Sequence, residues 1–269
     1  MFDDEKKTIA RMAPMLRRVL IADPQAASAA LIGEAMRNIS RAQTWTAPTS
    51  ERALKLCESA DPQIIFVEMQ IGKMNGVEFT KKLRRSSLAC RQAPVIMVTG
   101  TATAAGILAA RDAGVHEFLR KPFTMKDLLR RLEAVTLRQR DWIEAVGYVG
   151  PDRRRFNSGD YTGPLKRRSD TRQTPDAARI SQALKILRSA VAAFESDPSQ
   201  ASRAIETQVV QIQKLATAAA DLKLATAAAE LHRYIVLSRK TGVAISATDV
   251  ARHAASLMAY MPKDEGVAA

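Results

Sequence analysis

Four polar residues stand where apolar runs stop. Asp23 closes "RRVLIAD", Glu68 closes "PQIIFVE", Thr99 ends the run in "APVIMVTG", and Lys121 follows "HEFLR". Brought together on adjacent strands, two carboxylates, a hydroxyl and an ammonium make a small charged pocket. Carboxylates attract a hard cation such as Mg²⁺, and an ammonium answers them with an ion pair. A Glu68–Lys121 pair that is only an ion pair, and one that still controls a surface, are both open readings. No cofactor is expected, residual Mg²⁺ between Asp23 and Glu68 being the alternative.

A second cluster is basic. Arg153, Arg154, Arg155, Lys166, Arg167 and Arg168 flank "FNSGDYTGP". Arginine forks suit phosphates and guanine edges, and Phe156 and Tyr161 are able to stack on a base. A cyclic dinucleotide such as cyclic di-GMP fits that chemistry, and "RRSD" has the Arg-x-x-Asp spacing found where that messenger binds. A solvated basic linker is the plainer account.

The elements that must position these groups alternate. Arg17–Asp23 reads as a buried strand, and "PQAASAALIGEAMRNI" as a helix with Pro24 in its first turn. "AQTWTA", "PQIIFVE", "APVIMVTG" and "HEFLRKPF" read as further strands. "SERALKLCESA", "VEFTKKLRR" and "AAGILAARDAG" read as the helices between them. "TMKDLLRRLEAVTLRQRDWIEAV" reads as one long final helix. Five β–α units in this order give an α/β fold, a parallel sheet with helices on both faces. Reactive groups in such sheets collect at the C-terminal ends of the strands.

Residues 147–173 lack periodicity and are dense in Gly, Pro, Ser and Arg, so they read as a linker. "GPDRRR" and "GPLKRR" form an imperfect repeat within it. From Thr174 the chain is Ala-rich and helical. Thr174-Pro175 and Asp197-Pro198 look like N-cap plus first helical residue. Three stripes recur at helical spacing: Ile180, Leu184, Leu187, Val191 and Phe194; Ile205, Val209, Ile212 and Leu215; Leu224, Ala228, Leu231 and Ile235. Ser246 with Asp249 resembles a capping box for a last helix through Tyr260. The tandem "KLATAAADL" and "KLATAAAEL" spans a turn near Asp221. An unbroken nine-residue step rotates a helix by about 900°, leaving the two copies on opposite sides. Four amphipathic helices suggest an all-α bundle. His232 lacks the setting of a phosphotransfer histidine, and the Ala-rich faces suit docking or a homodimer.

Composition bounds the rest. The chain has 269 residues, enough for two small domains, and a net charge of +13. That charge favours anionic partners, but no recognition helix for DNA is visible. Two cysteines, distant in sequence, fit a reducing cytoplasm. No apolar run is long enough to span a membrane. The expected organisation is an extension (1–16), an α/β domain (17–146), a linker (147–173), a helical domain (174–261) and a tail (262–269).

Residues 17–137 resemble the receiver domain of response regulators in bacterial two-component signalling. "VLIADP", "PQIIFVEMQIGKMNGVEF" with Gly72 and Gly76, "APVIMVTG" and "AGVHEFLRKPF" carry the resemblance, in order. It implies a (βα)5 flavodoxin-like fold, a cis Lys121–Pro122 bond and a phosphoacceptor pocket. Glu68 stands where the family has its phosphate-accepting aspartate, with Asp23, Thr99 and Lys121 around it. The second acid of the family's metal-binding pair is replaced by Pro24, which has no side-chain oxygen. The resemblance also implies a docking face of Ile107, Ala110, Arg111, His116, Phe118, Lys126 and Arg130. There Phe118 is either a switch aromatic or a core residue. The expected role is non-enzymatic: an adaptor that meets a histidine kinase, another regulator or a motor component.

Overall fold

The computed structural model describes residues 2–153, 174–243 and 245–261. The chain divides into two compact units. In the first, β1 (Arg18–Ala22), β2 (Gln43–Ala47), β3 (Ile64–Glu68), β4 (Val95–Thr99) and β5 (Glu117–Arg120) pair in the order β2-β1-β3-β4-β5. All the pairings are parallel. The three central strands are almost wholly apolar and buried, as strands covered on both faces must be.

Alternate residues serve opposite layers. Val19, Ile21, Phe66, Ile96 and Val98 join one core cluster. It takes in residues of α1 (Phe2–Met12), α2 (Ala26–Ser40) and α6 (Met125–Thr136). Leu20, Ile65, Val67, Val95 and Met97 join the other. It involves α3 (Ser50–Ala60), α4 (Gly76–Arg85) and α5 (Ala104–Asp112). The expected (βα)5 arrangement is present.

Several local expectations are corrected. Phe2–Met12 is helical, and its Met12 is buried in the core. Pro24 lies outside α2, which starts at Ala26 after Gln25. The long final helix stops at Thr136, whose hydroxyl turns back onto the Leu132 carbonyl at 2.7 Å. Trp142–Glu144 (β6) instead pairs with Val149–Pro151 (β7) in a separate sheet. The first residues of the expected linker are therefore ordered strand.

A buried arginine braces the Gly114 turn against which β7 lies. Arg84 is 1% exposed, although its neighbours in "KKLRR" suggest a solvated helix end. Its guanidinium donates to the carbonyls of Gly114 (3.0 and 2.9 Å), Arg91 (2.5 Å) and Ala93 (2.9 Å). It also lies 5.3 Å from the Trp142 ring centroid. Burial pushes Arg84 down to about 9, leaving it cationic at neutral pH. Gly114 has a φ of +90°, and a Cβ there would meet the Val149 carbonyl at 2.6 Å. Glycine is required on both counts.

In the second unit, α7 (Pro175–Ala192), α8 (Pro198–Ala218), α9 (Leu222–Thr241) and α10 (Ala247–Met258) form a bundle. Each packs on the next, and α10 returns to α7. Thr174, Asp197, Asp221 and Ser246 cap the four N-termini. The turn inside the tandem repeat falls at Asp221. Leu184, Leu187, Ile205, Val209, Ile212, Leu231 and Ile235 lie in one core. No helix among the described residues is long and apolar enough to cross a membrane.

Candidate functional site

The pocket lies at the C-terminal ends of β1, β3, β4 and β5. Strand pairing brings it together: the Asp23 amide continues the ladder to Ala47 O at 3.0 Å, and the Lys121 amide to Thr99 O at 2.8 Å. Each polar residue is thus held by backbone at the point where its strand ends.

The Lys121 ammonium is bonded to both acids. Nζ lies 2.7 Å from Asp23 Oδ2 and 2.7 Å from Glu68 Oε2. Asp23 also accepts from the Gln25 amide (2.8 Å) and the Ser28 hydroxyl (2.7 Å). Glu68 turns its other oxygen back to its neighbour's amide, Met69 N, at 2.8 Å. Burial weighs against the Lys121 charge, but the hydrogen bonds and charges of Asp23 and Glu68 outweigh it. Its pKa is raised.

Thr99 is buried, with its hydroxyl accepting from the Thr101 amide at 3.3 Å. The loop after Glu68 depends on two glycines. Gly72 has a φ of +73°, and a Cβ on Gly76 would lie 2.5 Å from the Glu68 carbonyl. Asn75 closes the loop with a capping box to Glu78 at the start of α4. The Lys121–Pro122 bond is cis.

A divalent cation in this pocket needs several oxygens in octahedral array. Pro24 brings none, and both carboxylates are already paired with Lys121. No group of three His, Cys, Asp or Glu residues among the described residues suits a metal. The residue set does not fit Mg²⁺.

The expected docking face is only partly a surface. Lys126 and Arg130 are exposed, and Ile107 and Arg111 are half-buried. Phe118 and Ala110 are core residues, packed with Met97 and Val115. His116 is half-buried and faces Arg84, whose Nη2 lies 3.2 Å from its Nδ1. Burial and the guanidinium charges of Arg84 and Arg140 hold that imidazole well below its ordinary range, so it is neutral.

The basic cluster divides. Arg153 is bonded to Asp112 at 3.0 Å and lies 4.4 Å from the Tyr148 ring centroid. Both contacts lie within its own unit. Arg154, Arg155, Phe156, Tyr161, Lys166, Arg167 and Arg168 lie outside the described residues. Ser28 was not foreseen as a support for Asp23. Its place in the first turn of α2, five residues on, was the available signal.

Residues 19–133 match the family model described as "Response regulator receiver domain". "Chemotaxis protein CheY1" of Helicobacter pylori is 35% identical over 81 residues, covering 30% of this chain and 64% of that protein. "Transcriptional regulatory protein PdtaR" of Mycobacterium tuberculosis is 26% identical over 137 residues, covering 51% and 65%. "Probable chemotaxis protein CheY" of Rhizobium etli is 26% identical over 118 residues, covering 44% and 91%. This chain therefore spans just under two thirds of the length of the first two relatives.

Proposed function

Given that residues 19–133 are a CheY-like receiver domain of two-component signalling, we propose that this receiver works without being phosphorylated. The chain acts as a non-enzymatic adaptor through protein contacts. One observation carries the reading: the Lys121 ammonium bridges Asp23 and Glu68 at 2.7 Å each. Phosphoryl transfer is mostly positioning and charge balance, with Mg²⁺ taking the gathering negative charge. In this pocket lysine holds the place between the acids, proline supplies no ligand, and the acceptor is one methylene too long. The pocket then has a single state, needs no metal, and stiffens the strand ends that a partner reads. A histidine kinase, another regulator or a motor component is the class of partner, and the cytoplasm the compartment.

The test is incubation of the full chain with a small phosphodonor and Mg²⁺, followed by intact mass. No phosphate adduct is expected on wild type or on Glu68→Gln. An adduct on wild type that Glu68→Gln abolishes would refute the reading. Affinity capture with wild type and Glu68→Ala then asks whether the pocket controls docking. A partner lost with Glu68→Ala places control in the ion triad, and equal retention assigns recognition elsewhere.

A further inference from the structure

The helical unit buries two glutamines and a glutamate where an all-α core is normally apolar. Gln200, Gln208 and Glu144 are 1%, 2% and 2% exposed. The two glutamines lie eight residues apart on α8, about 12 Å along its axis and about 80° apart around it. Both reach a short non-helical segment, Glu144–Gly147, that clusters with the bundle. Gln200 Nε2 donates to the Glu144 carboxylate at 2.8 Å and to the Ala145 carbonyl at 3.3 Å. Gln208 Nε2 donates to the Glu144 carbonyl at 3.2 Å. Val146 packs against the core of the bundle.

The glutamines are oriented for this work. Arg203 Nη2 donates to Gln200 Oε1 at 2.8 Å, which turns the amide nitrogen toward the segment. The Arg203 Nε is buried and has no partner. A buried carboxamide is costly unless its hydrogen bonds are made. Both Nε2 amides donate to the segment, so the bundle is built around an occupant. Much of the recognition is through main-chain carbonyls, which any peptide carries. One carboxylate and one branched apolar side chain add selectivity, the division of labour usual in peptide recognition.

We propose that the α8 face bearing Gln200 and Gln208, with the groove it leaves when residues 144–146 depart, is a peptide receptor. Its ligand is a protein segment bearing a glutamate, a small residue and then a branched apolar residue. In this chain the groove is filled in cis by Glu144, Ala145 and Val146, so it is self-occluded. A tethered segment competes at an effective concentration in the millimolar range, and a partner gains the groove only when the segment leaves. This site is independent of the receiver pocket.

The probe is a fluorescent nonapeptide of residues 141–149, DWIEAVGYV, titrated by anisotropy into full-length protein. Glu144→Ala should bind it about tenfold more tightly than wild type, or better, because the cis competitor is weakened. A peptide with alanine for its glutamate should lose that gain, as should Gln208→Leu added to Glu144→Ala. Equal binding to all the proteins, or indifference to the peptide's glutamate, overturns the proposal. Hydrogen exchange on the unmodified chain gives a check that needs no variant. The amides of residues 145–147 should exchange well before the core of α8. Exchange only together with α8 makes the segment plain core and sinks the proposal.

Discussion

Replacing Lys121 by methionine removes the ammonium while keeping most of the apolar stem. Asp23 and Glu68 then face each other, each having been 2.7 Å from the same nitrogen. Their oxygens are at most twice that distance apart. Two like charges at such a range repel by about 3 kcal/mol at an effective dielectric constant of 20. Removing one partner of a buried pair costs about 3–5 kcal/mol. The loss here should sit toward the lower end. Asp23 keeps its bonds from Gln25 and Ser28, and Glu68 keeps its bond from Met69. The Lys121 side chain is also 20% exposed. A destabilisation of about 2–4 kcal/mol at pH 7 follows.

The assay is urea unfolding followed by tryptophan fluorescence. Trp45 and Trp142 are the chain's two tryptophans, and both belong to the receiver unit. The signal therefore reports that unit and not the bundle. Protonating either carboxylate removes the repulsion, so the penalty should shrink in acid. Millimolar Mg²⁺ should restabilise Lys121→Met and leave wild type unchanged, because only the variant leaves two carboxylates without a cation. Adding Glu68→Gln should recover much of the loss. A penalty below about 0.5 kcal/mol that is flat with pH would put the pair in the class of weak surface bridges and refute the reasoning.

Three further outcomes follow from the same geometry. Lys121 has a raised folded-state pKa, so its stabilisation is full below the ordinary lysine value of about 10.4. It fades as pH rises through the folded value, and alkaline urea titrations should show wild type losing its margin over Lys121→Met. Gly76→Ala places a Cβ 2.5 Å from the Glu68 carbonyl. Overpacking against backbone should cost about 1–3 kcal/mol by the same fluorescence assay. Arg84→Lys should cost about 2–4 kcal/mol, because a single ammonium nitrogen cannot stand in the three places from which Nε, Nη1 and Nη2 donate to Gly114, Arg91 and Ala93. The same variant should raise hydrogen exchange at Val149.

The parts that could be read in the sequence are those whose partners carry a side-chain signature. Asp23, Glu68, Thr99 and Lys121 sit in the segments that carry the receiver resemblance, so their meeting at one end of a parallel sheet was legible. So was the turn at Asp221, because a tandem repeat cannot keep one face across an unbroken helix. The end of α6 was not legible. Its pattern runs on smoothly to Val146, and the competing structure is β6 on β7 with Arg140 turned onto the carbonyls of His116 and Asp152. Nothing sets Arg84 apart from the other charges of "KKLRR", yet it is the most deeply enclosed cation of its unit among the described residues. Gln200 and Gln208 carry no mark in the sequence that sets them apart from other polar residues of their helix.

These residues escape the sequence for a common reason. Arg140, Arg84 and Gln208 donate to backbone carbonyls, which every residue possesses and no motif marks, and Gln200 divides its amide between the Ala145 carbonyl and the Glu144 carboxylate. A polar residue paired with another side chain announces itself twice in a sequence, once at each partner. One paired with backbone announces itself once, and looks like surface. Such residues also hold the places where this chain departs from a plain receiver followed by a plain bundle. Arg84 braces the Gly114 turn beside β7, and the two glutamines enclose Glu144–Gly147. The distinctive chemistry of this chain therefore includes contacts that side-chain motifs are least able to reveal.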